Sequence, residues 1–209
     1  TNAVIDTQAP NPAPGDLRFK DINGDGKITA DDRTVTGSYF PDFTWGITNS
    51  FSFKGVDLSV IIQGVEGNEI LNLTRRHLGN GEANFNSYAM WNNRWKSEEN
   101  PGNGIIPRAD RETGRHGNNN RPSSFQVEDG SFIRLRNITL GYTFPENNIL
   151  HGNIDKLRLY VTGNNLFTLT DYLGYNPEVS NISGGLTPGE DYGAYPLNKT
   201  IVFGINLNF

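Results

Sequence analysis

From Lys199 to Phe209 the chain alternates without interruption. Ile201, Phe203, Ile205, Leu207 and Phe209 fall on one side of an extended backbone, and Thr200, Val202, Gly204, Asn206 and Asn208 on the other. Side chains of a strand point to opposite faces in turn, so a period of two marks a strand where a period near 3.6 marks a helix. Helical spacing is scarce elsewhere, and Gly, Asn, Ser and Thr are frequent throughout. The chain reads as all-β.

Register supplies a second constraint. Between Phe43 and Val65, Lys54-Gly55 fits a two-residue hairpin loop. Pairing Phe53 with Val56 then sets Phe51 opposite Leu58, Asn49 opposite Val60, Ile47 opposite Ile62 and Trp45 opposite Gly64. The apolar residues of both strands share one face, and a slip of one residue would exchange the faces. Ser131 to Phe144 continues the pattern with Ile138, Leu140, Tyr142 and Phe144 on one face. Ile133 and Leu135 have the opposite parity, so a bulge or a change of environment is expected near Arg136. Leu157 to Leu169 gathers Leu157, Leu159, Val161, Phe167 and Leu169, with Asn165 breaking the row. Five strands result, each roughly ten residues or more, the length that crosses a bilayer as a tilted strand.

The connections alternate as well. They run to two residues at Lys54-Gly55, about 11 from Pro145 to Asp155, roughly 55 from about 72 to 126, and roughly 28 from about 170 to 197. Compact soluble domains rarely carry structureless loops of that length, whereas outer-membrane barrels pair tight periplasmic turns with long extracellular loops. With Phe209 at the periplasmic rim, both short turns fall in the periplasm and both long loops outside the cell. Five strands cannot close a barrel, so the other strands are expected from residues outside this chain. The expected organisation is an extracellular loop segment over residues 1–42 and five barrel strands with their outer loops over 43–209.

Composition removes several alternatives. A formal net charge of −5 argues against nucleic acid as a partner. No cysteine means no disulfide framework and no thiolate nucleophile, and three scattered histidines, His77, His116 and His151, offer little for a zinc site. No apolar run is long enough for a membrane helix, a test to which barrel strands are invisible. Thr1 opens the chain without a visible signal peptide, so a processed or longer protein is expected. No nucleophile elbow, phosphate loop or histidine-metal spacing is present, and the chain reads as a non-enzyme.

Several short segments, in order, carry a resemblance. They are Pro14-Gly15-Asp16-Leu17-Arg18-Phe19-Lys20-Asp21, Asn23-Gly24-Asp25-Gly26, Pro41-Asp42-Phe43-Thr44-Trp45-Gly46, Asn93-Arg94-Trp95, Asp129-Gly130-Ser131-Phe132-Ile133-Arg134-Leu135, Leu140-Gly141-Tyr142, Gly163-Asn164-Asn165-Leu166-Phe167 and Gly174-Tyr175-Asn176-Pro177-Glu178, closed by a terminal aromatic. In this wording the chain resembles the C-terminal end of SusC-like TonB-dependent outer-membrane transporters. The resemblance implies a barrel of about 22 strands with an N-terminal plug. It also implies a SusD-like surface lipoprotein over the extracellular mouth, import of oligosaccharides or peptides, and energy delivered through TonB to the N-terminal part. Gly204 to Phe209 resembles the terminal signal read by the barrel-assembly machinery, departing from it at Val202.

Asp21-Ile22-Asn23-Gly24-Asp25-Gly26-Lys27-Ile28-Thr29-Ala30-Asp31-Asp32 fits a twelve-residue calcium loop. Calcium takes six to eight hard oxygens, and Asp21, Asn23, Asp25, the Lys27 carbonyl and Asp32 occupy the ligand positions. Asp stands where a bidentate Glu is usual and no flanking helices are evident, so the loop is closer to dockerin-like versions. The expected role is a structural ion stiffening an extracellular loop; the plain alternative is an Asn/Asp/Gly-rich turn.

Trp91, Arg94 and Trp95, with Tyr88, form an aromatic and basic group in the longest outer loop. Such rings can stack on sugars, but packing of the loop on itself or on a partner is the commoner use. Arg134 and Arg136 alternate with apolar residues on one strand. Facing lipid at the midplane either would cost roughly 2 to 4 kcal/mol, so a wet lumen, where cations could contact substrate, is the better placement; lipid phosphates above the bilayer are the other. Tyr142, Phe144 and Phe209 suit an aromatic girdle at the lower rim. The sequons Asn72-Leu73-Thr74 and Asn137-Ile138-Thr139 are chance matches in an outer-membrane setting.

The reading is therefore the closing strands and outer loops of a TonB-dependent importer. The alternative is a soluble calcium-stabilised β-sandwich that binds carbohydrate, with a surface adhesion domain third. A sandwich hides its apolar faces in a core, whereas a barrel turns them to lipid.

Overall fold

The computed structural model describes residues 12–79, 86–109, 119–145, 154–179 and 188–209. His116, His151 and most of the Pro145 to Asp155 connection lie outside them. The strands are β1 (Phe43–Phe53), β2 (Val56–Glu66), β3 (Glu69–Asn72), β4 (Val127–Asp129), β5 (Phe132–Phe144), β6 (Lys156–Thr170), β7 (Glu190–Asp191) and β8 (Thr200–Asn208). One short helix, α1 (Leu73–Leu78), follows β3, and single 3-10 turns occur at Ala30–Asp32 and Ala89–Asn93.

The five long strands form one antiparallel sheet in the order β1-β2-β5-β6-β8. Phe53 pairs with Val56 and Trp45 with Gly64, as the alternation requires. Lys54 (φ 46°) and Gly55 (φ 85°) are both left-handed, the backbone of a type I′ turn whose twist matches the strands it joins. The β2–β5 register shifts between Ile61 and Ile62, and the β5–β6 register between Leu135 and Asn137, so the bulge falls at Arg136. Asn165, the residue that breaks the apolar row of β6, has φ 50° and sits beside the same irregularity.

The sheet has a greasy side whose rows are exposed among the described residues. Phe203 is 81% exposed, Ile201 62%, Phe51 61% and Leu207 45%. Among the described residues the buried hydrophobic side chains are Ile70, Leu73, Ile106, Phe132 and Tyr172, none of which belongs to the apolar rows at the centre of the sheet. A sandwich of this length would bury those rows. The β-sandwich reading is thus opposed by the exposure of the very residues it needs inside.

The chain forms two compact units. One holds the long sheet and comprises 38–70, 129–179 and 194–209; the other comprises 1–37, 71–128 and 180–193. In the second unit Leu71 and Asn72 pair in parallel with Glu190 and Asp191, and Asn72 N–H donates to the Gln126 carbonyl (2.8 Å). The connections that the sequence leaves as long loops carry α1, the short strands and a polar interior of their own. Sequence periodicity misses these elements because two to six residues are too few to show a period.

Candidate functional site

The side of the long sheet opposite the greasy rows is mostly polar, with Ile61, Val65, Phe132 and Val202 as exceptions. Near the Lys54-Gly55 turn, Arg158 on β6 reaches across β5 to Asp57 on β2, with Nε 2.9 Å from Oδ1 and Nη2 2.5 Å from Oδ2. The strand between them has Gly141 at that point, and a Cβ there would lie 2.5 Å from Asp57 Oδ1 and 2.6 Å from Arg158 Nη2. The missing side chain is what lets the ion pair cross. Farther along, the Thr139 and Thr162 hydroxyls meet at 2.9 Å, and the Asn137 amide donates to Asn164 Oδ1 at 2.9 Å.

At the opposite end from the turn the two arginines of β5 have different surroundings. Arg134 is 2% exposed. Its Nε donates to Thr168 Oγ1 (2.9 Å), its Nη2 to Asn176 Oδ1 (3.1 Å) and its Nη1 to Glu178, and it lies 4.8 Å from the centre of the Phe132 ring. Arg136 is exposed and donates through Nη1 to Gln63 Oε1 (2.7 Å). The Gln63 amide donates in turn to Glu178 Oε1 (3.0 Å). Glu178 and Asn176 belong to the Gly174 to Glu178 motif, so the resemblance pointed to that segment without revealing its partner. Gln63, Asp57 and Arg158 carried no signal beyond sitting on the polar parity of their strands.

In the other unit, Asp21, Asn23, Asp25 and Asp32 cap the backbone of their own loop. Gly24 and Gly26 N–H donate to the two Asp21 carboxylate oxygens (2.7 and 2.8 Å), Asp25 N–H to Asn23 Oδ1 (3.0 Å) and Lys27 N–H to Asp25 Oδ1 (2.8 Å). Asp32 accepts from Ile22 N–H (2.8 Å) and Thr29 N–H (2.6 Å), the latter closing a capping box on the 3-10 turn. The Thr29 N–H first, and the Ile22 N–H next, hold the Asp32 carboxyl below the usual carboxylate range. Positive φ at Gly26 (79°) gives the sharp turn such a loop needs. The donor chemistry suits a hard cation, although among the described residues no three acidic or imidazole side chains converge as ligands.

Trp91, Arg94, Trp95 and Tyr88 are half-buried in that unit. Arg94 Nη1 donates to the Trp91 carbonyl (3.3 Å), and the Trp95 indole lies flat against Gly15, where any side chain would collide with it. The partners in two ionic groupings here were not foreseen from the sequence. Arg108 Nε donates to Asp16 Oδ1 (2.6 Å) beside the buried Asn119, and Arg75 Nη1 to Glu128 (3.1 Å) beside the buried Asn72. Asn72, the first sequon residue, is 1% exposed and caps α1 by accepting from Arg75 N–H.

No family model matches the chain. TonB-dependent receptor P3 of Formosa agariphila is 39% identical over 202 residues, which cover 94% of this chain and 19% of that protein. TonB-dependent receptor SusC of Bacteroides thetaiotaomicron is 26% identical over 202 residues, 95% of this chain and 18% of that protein. Over nearly its whole length the chain matches TonB-dependent receptors, SusC among them. It spans about a fifth of the length of the curated receptors it matches. The solved structure of the RagAB peptide transporter superposes with a TM-score of 0.73 at 27% identity, over 94% of this chain and 20% of that one. The sheet with its uncovered greasy side thus corresponds to a stretch of receptors of this kind.

Proposed function

We propose that this chain supplies five wall strands and outer segments of a TonB-dependent importer in the outer membrane of a Gram-negative bacterium. The single observation that carries the reading is the uncovered apolar side of a sheet whose two edge strands, β1 and β8, are long. An open greasy edge invites aggregation unless the sheet closes, and closure into a barrel removes both edges while giving the apolar rows to hydrocarbon. The rest of the wall, the plug and the segment that meets TonB come from other parts of the whole receptor. The polar side then lines a wet lumen.

The cargo in this reading is an oligosaccharide or a peptide, received with a SusD-like lipoprotein over the mouth. Support comes from the name SusC among the relatives and from the peptide importer RagAB among the structural neighbours. The Asp21 to Asp32 loop holds one structural calcium ion, with Asp21, Asn23, Asp25, Asp32 and the Lys27 carbonyl as ligands; the oxygen-only donor set supports that assignment. Trp91, Arg94 and Trp95 pack the outer unit. The protein is a transporter, not an enzyme.

The test is uptake by cells carrying the whole receptor, supplied with oligosaccharides or peptides as sole nutrient, with and without TonB. Growth that requires both the receptor and TonB is the expected result. A receptor that stays in the soluble fraction without detergent, or uptake indifferent to TonB, overturns the reading.

A further inference from the structure

We infer that Arg136 is an anion-reading residue of the inner wall, a guanidinium held in place to receive an oxyanion of the cargo. The inference rests on the importer reading above and adds the chemistry of what is bound.

Four features of the sheet lead to it. Arg136 occupies the bulge and has no partner in either strand ladder, and bulges re-aim side chains that regular pleating would fix. Among the described residues its side chain bonds to Gln63 Oε1, and the orientation of that amide is settled by its other end, because the Gln63 nitrogen is committed to the Glu178 carboxylate. Glu178 is already charge-matched by Arg134, whose three donor nitrogens are spent on Glu178, Asn176 and Thr168. The buried arginine thus fixes the carboxylate, the carboxylate fixes the amide, and the amide holds the exposed arginine without neutralising it.

The surroundings leave that charge uncompensated. Among the described residues Arg136 meets no carboxylate, and the one acid on the polar side of the five strands, Asp57, is tied to Arg158. Its neighbours on the wall, Asn137, Thr139, Thr162 and Asn164, are neutral hydrogen-bonding groups satisfied among themselves. A guanidinium has five N–H donors in a planar fork, and one is used here, so a carboxylate or sulfate can be taken by two parallel bonds. A neutral sugar would gain little from such a group. A cargo carrying regularly placed oxyanions would gain both affinity and orientation.

The experiment uses the whole receptor in detergent and calorimetric titration with hexagalacturonate, a sulfated dextran oligomer and maltohexaose, and with a tetrapeptide and its C-terminal amide. Wild-type receptor is expected to bind at least one anionic probe better than its neutral counterpart. Arg136→Gln should weaken that binding about tenfold, Arg136→Lys should restore part of it, and the neutral probe should be unaffected. The salt dependence of binding should also flatten in Arg136→Gln. Failure of every anionic probe to bind, equal binding by wild type and Arg136→Gln, or a lowered melting temperature without any probe-specific change each overturn the inference. TonB-dependent uptake of a neutral probe that survives such a failure keeps the importer reading standing, so the two are separable.

Discussion

Tyr160 on β6 lies across Gly204 on β8, its direct partner in the ladder, and a side chain at position 204 would occupy the space of the ring. The ring spans the joint between the last two strands of the sheet on their polar side. Arg158 lies 4.9 Å from the centre of the same ring, so the joint continues through Gly141 to Asp57. Trp45 covers Gly64, its partner across β1 and β2, on the greasy side in the same manner. Aromatic over glycine is here a device for pinning neighbouring strands.

Replacing Gly204 by Val should therefore force Tyr160 off the sheet and cost about 1 to 3 kcal/mol, as other overpacked positions do. Tyr160→Ala in the same receptor should recover part of that loss, giving a non-additive pair in a double-mutant cycle. Unfolding of the whole receptor in detergent, followed by its heat-dependent shift in gel mobility, reads the effect. Additive losses would show that ring and glycine act separately.

The Lys54-Gly55 turn makes a second prediction. Gly55 has φ 85°, and a Cβ there would lie 2.6 Å from the Thr143 carbonyl oxygen. Gly55→Ala combines left-handed strain with that clash and should lose more than about 1 kcal/mol. Lys54→Asn, which tolerates φ 46° better, should gain a few tenths of a kcal/mol, roughly. Both are measured by the same unfolding assay.

The Arg134 grouping predicts an asymmetry. Glu178→Ala leaves a buried guanidinium without its carboxylate and should cost about 3 to 5 kcal/mol locally. Arg134→Met removes the charge itself and should cost less, since Glu178 is 37% exposed and can turn to water. Hydrogen exchange over residues 171–179 distinguishes the two. Equal exchange in both variants would mean that the segment is held by something else.

The acidic loop predicts a pH response. Because the folded Asp32 carboxyl titrates below its ordinary value of 3.8, its contribution to loop order is complete above that pH and disappears as pH falls through the lower, folded value. Asp32→Ala should abolish the response by freeing Ile22 N–H and Thr29 N–H. Proteolytic nicking of the loop against pH reads this. Calcium at millimolar concentration should protect the wild-type loop and not the variant; absence of heat on calcium titration of the whole receptor removes the ion.

The alternation of Ile201 to Phe209, the pairing of Phe53 with Val56 and the bulge at Arg136 were legible in the sequence because each is a local consequence of pleat and parity. A side chain's face in a strand depends only on its position, and a two-residue turn leaves one register compatible with two greasy rows. The partners of Arg134 and Arg136 were not legible in this way. Glu178 is 44 residues from Arg134, and Gln63 is 73 residues from Arg136. Chain order alone says nothing about which of many carboxylates and amides meets which cation across a sheet. Pleat and parity were enough for the long strands and their faces; only the folded sheet shows that Arg134 is ion-paired in the interior and Arg136 lies exposed on the polar face, because charge pairing is set by distances that closure of long loops creates.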